Sequence, residues 1–436
     1  MSEGNAVRAF REAAAAHQRC FWLDGGGARE WSGHRSLIGI LEPDDVSLTY
    51  SAARREVTRH VDGESEVVGS DVFAVLEDEL AAGSHRDQWF GYLGYACRPD
   101  LPALVDGGGV PDAVWMRPSH VRLFEHALPA RNSRFPAGAP HGQGQFHRVP
   151  GETAPAGYAE AFAQVQEALH AGNSYEVNLT YRRETVSDLD PVAAYLRLRM
   201  LNPAPYAGFL QHDVGPVGGG ARGWLLSSSP ERYALVTRDE DGDRTIETKP
   251  IKGTTPRGAT PEEDEELRRA LATEPRFRAE NLMITDLLRN DLAMVCEVGS
   301  VEVPALLKVE SYPTVHQLVS TVRGRLRDDV TTVGALRALF PAGSMTGAPK
   351  LRTMEVIAEV EETARGAYAG AFGWLAADGR ADLGVVIRTL TTIGDGTYRL
   401  GTGGGITVHS DIESEYAESL VKAERLLTAL STLGSP

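Results

Sequence analysis

Cysteine is scarce in this 436-residue chain, and the three present, Cys20, Cys97 and Cys296, lie far apart. That spacing excludes a disulfide framework and a CxxC metal site, and it points to a reducing, cytoplasmic setting. Long apolar runs are missing too. No stretch approaches the roughly 20 residues of a membrane span, and the first 20 residues, with Glu3 and no sustained apolar core, do not read as a signal peptide. Positive charge is in deficit: the formal net charge is −16, which disfavours nucleic-acid and anionic-membrane partners. An anionic substrate must therefore be met by a local group of cations. The most informative shortage is lysine. Of 44 basic residues only Lys249, Lys252, Lys308, Lys350 and Lys422 are lysines, and the other 39 are arginines. A buried ammonium can lose its proton and attack carbon, which a guanidinium cannot do.

Hydrophobic content of 42% with 24% charged residues describes a globular protein that buries a large core, and the length exceeds that of most single domains. Residues 1–127 read as a mixed helical and strand region. Ala6–Gln18 is Ala-rich and helical, Asp24–Gly27 is a glycine turn, and Leu37–Leu41 suits a strand. Asp71 is placed to cap a helix over 71–80, and WFGYLGY (89–95) reads as a core strand. The stretch 128–155 is rich in Pro, Gly and Ala without periodicity and reads as a linker or loop. From 156 to 436 the texture tightens. Helices are expected over Ala156–Ala171, Pro191–Met200, Arg278–Val295, Leu336–Phe340, Leu351–Glu361 and Asp411–Leu427. Strands are expected at Tyr175–Arg182, Trp224–Ser229, Gly366–Trp374, Leu383–Thr391 and Tyr398–Thr407.

Several stretches carry chemistry. In IETKPIKGT, Pro250 and Gly253 bracket Lys252, so one fixed and one free backbone angle hold the lysine on a shaped turn after a short β-like run. The lysine is either solvated there or a buried nucleophile. Glu280 lies on an amphipathic helix. Glu415, Glu418 and Lys422 share one face of the closing helix, which is either a solvated Glu–Lys face or, with Glu280, a set of hard oxygen donors for Mg²⁺. GSMTGAPK (343–350) has the look of a phosphate loop but fails as one, because Ala348-Pro349 separates Gly347 from Lys350 and no Ser or Thr follows directly. GTGGGI (401–406) is a tight hairpin or a nest of free amides for an anion. Arg388, in VVIRTL, is an edge residue or a buried carboxylate clamp.

In combination and in this order, SSSPER, ETKPIKGT, RAENLMITDLLRNDL, FPAGSMTGAPK, VVIRTL, GTGGGI and EYAESLVKA resemble the chorismate-utilising enzymes, from about residue 156 to 430. The lysine of PIKGT is similar to the aminodeoxychorismate synthase component I branch, whereas anthranilate synthases characteristically carry alanine there. The resemblance implies an α/β (α+β) fold of two large, mostly antiparallel sheets packed as a sandwich with helices outside. It implies amination of chorismate to 4-amino-4-deoxychorismate, serving p-aminobenzoate and folate or p-aminophenylalanine-type antibiotics. It implies Lys252 as the nucleophile at ring carbon two and Glu231 as general acid and base at the hydroxyl of carbon four. Glu280 and Glu418, with Glu415 close by, are implied as Mg²⁺ ligands. Arg388, Tyr368, Lys422, Thr254, His316 and the amides of Gly404 and Gly405 are implied as the substrate-binding set.

Three departures qualify this. His316 stands one place before the family's usual histidine, where Gln317 lies. Glu176 stands where isochorismate- and salicylate-forming relatives carry a lysine base. The LLES pattern of tryptophan-inhibited anthranilate synthases is not found. None of the cysteines sits in the glycine-rich elbow of a glutamine amidotransferase, so ammonia is expected from a separate amidotransferase subunit or from solution. The rival readings are anthranilate synthase component I and a catalytically silent chorismate-binding regulatory subunit.

Overall fold

Alternating apolar residues become antiparallel strands here, and two sheets result. The computed structural model describes residues 2–25, 34–126, 153–312 and 315–431. The expected linker at 128–155 lies outside them apart from its last three residues, and the glycine turn at 24–27 runs out of them after Gly25. Among the described residues one sheet has nine strands, in the order Gly347–Ala348, Glu176–Val186, Thr397–Ile406, Thr389–Thr392, Gly223–Ser229, Tyr206–His212, Arg19–Asp24, Arg35–Ile40 and His120–Glu125. The other has twelve. Eleven run in the order Ile251–Pro256, Val315–Arg325, Arg244–Lys249, Arg232–Arg238, Ala381–Val385, Ala371–Ala376, Gln88–Leu93, Ala113–Arg117, Val46–Ser51, Glu56–Val61 and Glu64–Gly69, and Glu302–Ser311 pairs with Val315–Arg325. The first 126 residues thus supply three strands to one sheet and five to the other.

The sheets meet over an aromatic core. Phe21 from one sheet stacks on Phe90 from the other, with ring centroids 4.0 Å apart, and Leu210, Leu225, Val114 and Phe372 close round them. Gly208 is needed at this approach, because a Cβ there would stand 2.4 Å from the Phe372 ring. Helices cover the outer faces. Ser2–Ala16, Pro191–Leu201 and Ile412–Leu430 press Phe10, Tyr195, Leu198 and Leu426 onto Trp22, Phe209 and Leu226. Val72–Ala82, Pro275–Ala293 and Thr332–Leu339 cover the other sheet through Leu76, Ile284, Leu288 and Leu336. Each such side chain contributes roughly 1.5–3 kcal/mol when fully buried. Asp71 caps its helix as expected, accepting from the N–H groups of Phe73 and Ala74 at 3.0 and 3.2 Å.

Two of the places where the chain changes sheets matter for the site. Gly223–Ser229 belongs to the nine-stranded sheet and Arg232–Arg238 to the twelve-stranded one, so Pro230-Glu231 is a crossover. Ala381–Val385 and Thr389–Thr392 repeat the move in the opposite direction, with Arg388 in the crossover at φ +49°. The continuous strand expected over Leu383–Thr391 is therefore two strands in different sheets. The crossovers run side by side, tied by Val385 N–H to Glu231 O at 3.0 Å and Ser228 N–H to Arg388 O at 3.1 Å. Three further expectations are corrected. Lys252 lies not on a turn but in the strand Ile251–Pro256, where Pro250 ends the preceding strand and a register irregularity falls between Ile251 and Thr254, at Gly253 with φ +88°. GTGGGI is neither hairpin nor nest: it completes the strand Thr397–Ile406, paired through to Val177. The strand expected from Gly366 begins only at Ala371, which leaves Tyr368 in the preceding loop.

The strand Glu176–Val186 is anchored by a buried ion cluster. Glu361 accepts from Thr180 N–H at 2.9 Å and Thr180 Oγ1 at 2.8 Å, and pairs with Arg182 and Arg365. Glu361→Ala strands two buried guanidinium groups and is expected to cost about 3–5 kcal/mol. Urea denaturation with an unchanged slope checks this, and a loss below about 1 kcal/mol would mean the arginines find other partners.

Candidate active site

Strand ends and two helices bring charged side chains together between the ends of the two sheets. Lys252 projects from the strand Ile251–Pro256 and pairs with Glu176, the first residue of the strand Glu176–Val186. Glu176 is buried and Lys252 largely so, their side chains 2% and 13% exposed. Burial works against the lysine's charge, but Glu176 beside it, with Glu280 and Glu231 further off, outweighs burial and holds the amine above the ordinary lysine range. The next strand makes room for the pair: a Cβ on Gly405 would stand 2.0 Å from Glu176 Oε1 and 3.0 Å from Lys252 Nζ. Among the described residues Glu176 Oε2 is buried and has no hydrogen-bond partner.

Glu231, at its crossover, is 7% exposed and accepts from Ser344 Oγ at 2.6 Å. Burial pushes its carboxyl up to about 7, against the opposing pull of Ser344 and of the Lys252 and Arg388 charges. A carboxyl in that range holds a proton at neutral pH for a substantial part of the time, as a general acid must. Arg388, at the partner crossover, is brought down to about 10 by burial and by Arg425, which leaves it a cation at neutral pH.

The third group comes from helices. Arg276 donates to Glu280, one turn along its own helix, at 2.9 Å and to Glu415 of the closing helix at 2.5 Å. Lys422 binds Glu418 at 2.9 Å and the Gly403 carbonyl at 2.9 Å. Lys422 holds the Glu418 carboxyl below its usual range, and burial pushes that of Glu415 up. A Cβ on Gly404 would stand 3.4 Å from Glu415 Oε2 and 3.6 Å from Lys422 Nζ. Among the described residues no group of three or more His, Cys, Asp or Glu side chains is placed to hold a metal ion. Mg²⁺ does not need such a group, since it takes one or two carboxylates and keeps waters or substrate oxygens. Two carboxylates from different helices that already share one half-exposed guanidinium are a hard-oxygen donor set that fits such an ion.

The remaining expected residues divide. Thr254 is half-buried opposite Gln317 on the lysine's own strand. Tyr368 lies against Gly401, where a Cβ would stand 2.2 Å from its ring, and under the Arg182 guanidinium at 4.7 Å. Asn178 and Thr180 send their N–H groups to Thr346 O and Glu361, away from the strand Thr397–Ile406. Antiparallel alternation then aims the Gly404 N–H at Leu179 and leaves that of Gly405 on the open side. His316 belongs to another network, with Nε2 3.0 Å from Asp264 and Nδ1 2.8 Å from Ser311. Sequence reasoning missed Ser344 and Arg276. The i,i+4 spacing of Arg276 and Glu280 was a visible signal; nothing in GSMTGAPK tied Ser344 to Glu231.

A profile of chorismate binding enzymes matches residues 18–428. The chain is 38% identical over 456 residues to the aminodeoxychorismate synthase of Streptomyces pristinaespiralis, covering 94% of this chain and 61% of the relative. It is 44% identical over 273 residues to aminodeoxychorismate synthase component 1 of Escherichia coli K12, covering 63% of this chain and 57% of that protein. The chain thus spans about three fifths of the length of these curated relatives. Among solved structures, anthranilate synthase component I from Streptococcus pneumoniae TIGR4 superposes with a TM-score of 0.70 at 25% identity, over 90% of this chain and 92% of that one. The likeness extends to both sheets and their helices. Among the described residues no helix is long and apolar enough to cross a membrane.

Proposed function

The chain belongs to the chorismate binding enzymes, and from that premise we propose that it aminates chorismate at ring carbon four, as an aminodeoxychorismate synthase component I. The observation that carries this reading is the largely buried Lys252 amine, faced by Glu176, Glu231 and Glu280. Lys252 first releases one proton past Glu176 to solvent. Its freed Nζ attacks ring carbon two to give a secondary ammonium, the double bonds shift, and the hydroxyl at carbon four leaves as water with a proton from Glu231, which solvent restores. Ammonia then enters at carbon four and the lysine is expelled. A chain with alanine at this position aminates carbon two directly; an attached lysine blocks that carbon and directs ammonia to carbon four.

Substrate carboxylates are met by Arg388, Lys422, the open amide of Gly405 and Thr254, with Tyr368 alongside; Gly404 contributes by its missing side chain. His316, with both ring nitrogens engaged, offers the substrate neither donor nor acceptor and has no place in this set. Glu280 and Glu418, with Glu415 close by, would hold Mg²⁺, with Arg276 moving aside, and the bound ion would supply a hard positive charge for the ring carboxylate. These few cations meet the dianion inside a protein of net charge −16. Ammonia comes from a separate glutamine amidotransferase subunit, consistent with the component 1 designation of the Escherichia coli relative.

Incubating the purified chain with chorismate, Mg²⁺ and an ammonium salt is expected to give aminodeoxychorismate, identified by mass. The likeness to an anthranilate synthase sets the competing outcome: fluorescent anthranilate as the product would overturn the assignment.

A further inference from the structure

Glu176 pairs with Lys252 but has no step at carbon four in the reading above, and its two oxygens differ. Oε1 pairs with Lys252. Oε2 is buried, in a residue only 1% exposed, and lacks a partner among the described residues. An unpaired buried carboxylate oxygen is costly, and a small donor seated against it relieves that cost. Gly405 lets this carboxylate reach the lysine, since any Cβ there would collide with Glu176 Oε1. The chemistry states what the donor is. Lysine leaves from carbon two while ammonia arrives at carbon four, and both carbons flank the same ring atom. A carboxylate with one oxygen on the lysine amine presents the other to a neighbouring amine.

We infer that Glu176 is the seat of the second substrate, ammonium, and carries its proton to the departing lysine. This rests on the aminodeoxychorismate reading. Ammonium gives one proton to Oε2, and its freed lone pair forms the bond to carbon four. The bond between carbon two and Lys252 Nζ breaks with its electron pair returning to nitrogen. The carboxyl proton of Glu176 then passes to Nζ, restoring the ammonium and carboxylate of the free enzyme. Protons and charge balance, and no oxidant or reductant is needed.

The test is steady-state kinetics of the full chain, with ammonium chloride and chorismate varied separately. Glu176→Gln keeps the size and loses the charge and the proton site. It is expected to raise KM for ammonium roughly 10- to 100-fold, the worth of a charge-assisted hydrogen bond. KM for chorismate is expected to stay nearly unchanged. The chorismate adduct on Lys252 is expected to accumulate as added mass on the peptide that carries it. If Glu176→Gln does not fold, Glu176→Asp keeps the charge with a shorter reach and should show the same split at smaller size. An unchanged ammonium KM, or both KM values rising together, overturns the inference. Failure of the underlying reading looks different: the wild type makes anthranilate, or Lys252→Ala retains full turnover. The ammonium KM of Glu176→Gln still decides the seat in that case. If ammonium supports no turnover, broadening of the ammonium nitrogen resonance by the wild type decides instead: loss of the broadening in Glu176→Gln supports the seat, and its persistence overturns it.

Discussion

Lys252→Ala is expected to lower amination of chorismate by on the order of 10⁴-fold or more, the scale on which removal of a covalent nucleophile acts. Two effects combine. The attacking atom is gone, so carbon two cannot be activated by a covalent bond. The ammonium that Glu176, Glu231 and Glu280 surround is gone as well, which leaves three carboxylates facing a dianionic substrate without that cation. Lys252→Arg separates the effects, because it restores a positive charge that cannot act as a nucleophile. It should recover chorismate affinity, read by titration, and no turnover, read by product mass. Near-wild-type turnover in either variant would remove the covalent route and with it the reason for expecting amination at carbon four.

Glu231→Gln should lower kcat by about 10²–10⁴-fold, the usual contribution of a positioned general acid. The pH dependence carries more information. Burial pushes the Glu231 carboxyl up to about 7, and the leaving hydroxyl needs its protonated form. The acid is therefore in place below pH 7, and kcat should fall as pH rises through that value. Glutamine cannot titrate, so the variant should lose this falling limb while its low residual rate persists. A wild-type profile that is flat from pH 6 to 8, or a variant that keeps the limb, would assign the proton to another group. Ser344→Ala bears on the same point. Loss of the 2.6 Å hydrogen bond stabilising the carboxylate should move the limb to higher pH.

Much of this protein is legible in its residues. Helix positions followed from local signals, such as Asp71 as a cap and the apolar spacing of Leu287 and Leu288 beside Glu280, because a helix is closed by contacts within four residues. The scarcity of lysine singled out Lys252 before any geometry was known, and the ordered motifs pointed to the family that the comparison then showed. Strand placement was legible only in part. Apolar alternation marks a strand but not the sheet it joins, so 383–391 read as one element where the chain crosses between sheets at Arg388. GTGGGI read as a turn because glycine is the usual residue of turns, whereas here its missing side chains clear space in a strand for Glu176, Lys252 and Lys422.

The tertiary structure alone decided which charges meet. Lys252 and Glu176 are 76 residues apart in the chain, Glu231 and Ser344 113 apart, and Arg276 and Glu415 139 apart. No local pattern encodes such pairings, because they arise where two sheets and two helices pack. The same packing decided that His316 is spent on Asp264 and Ser311, and that Glu231 is buried deeply enough to hold a proton near neutrality. Residue identity determined what chemistry was available to this chain; burial and neighbours, which exist only after folding, determined which of those groups carry charge and face one another.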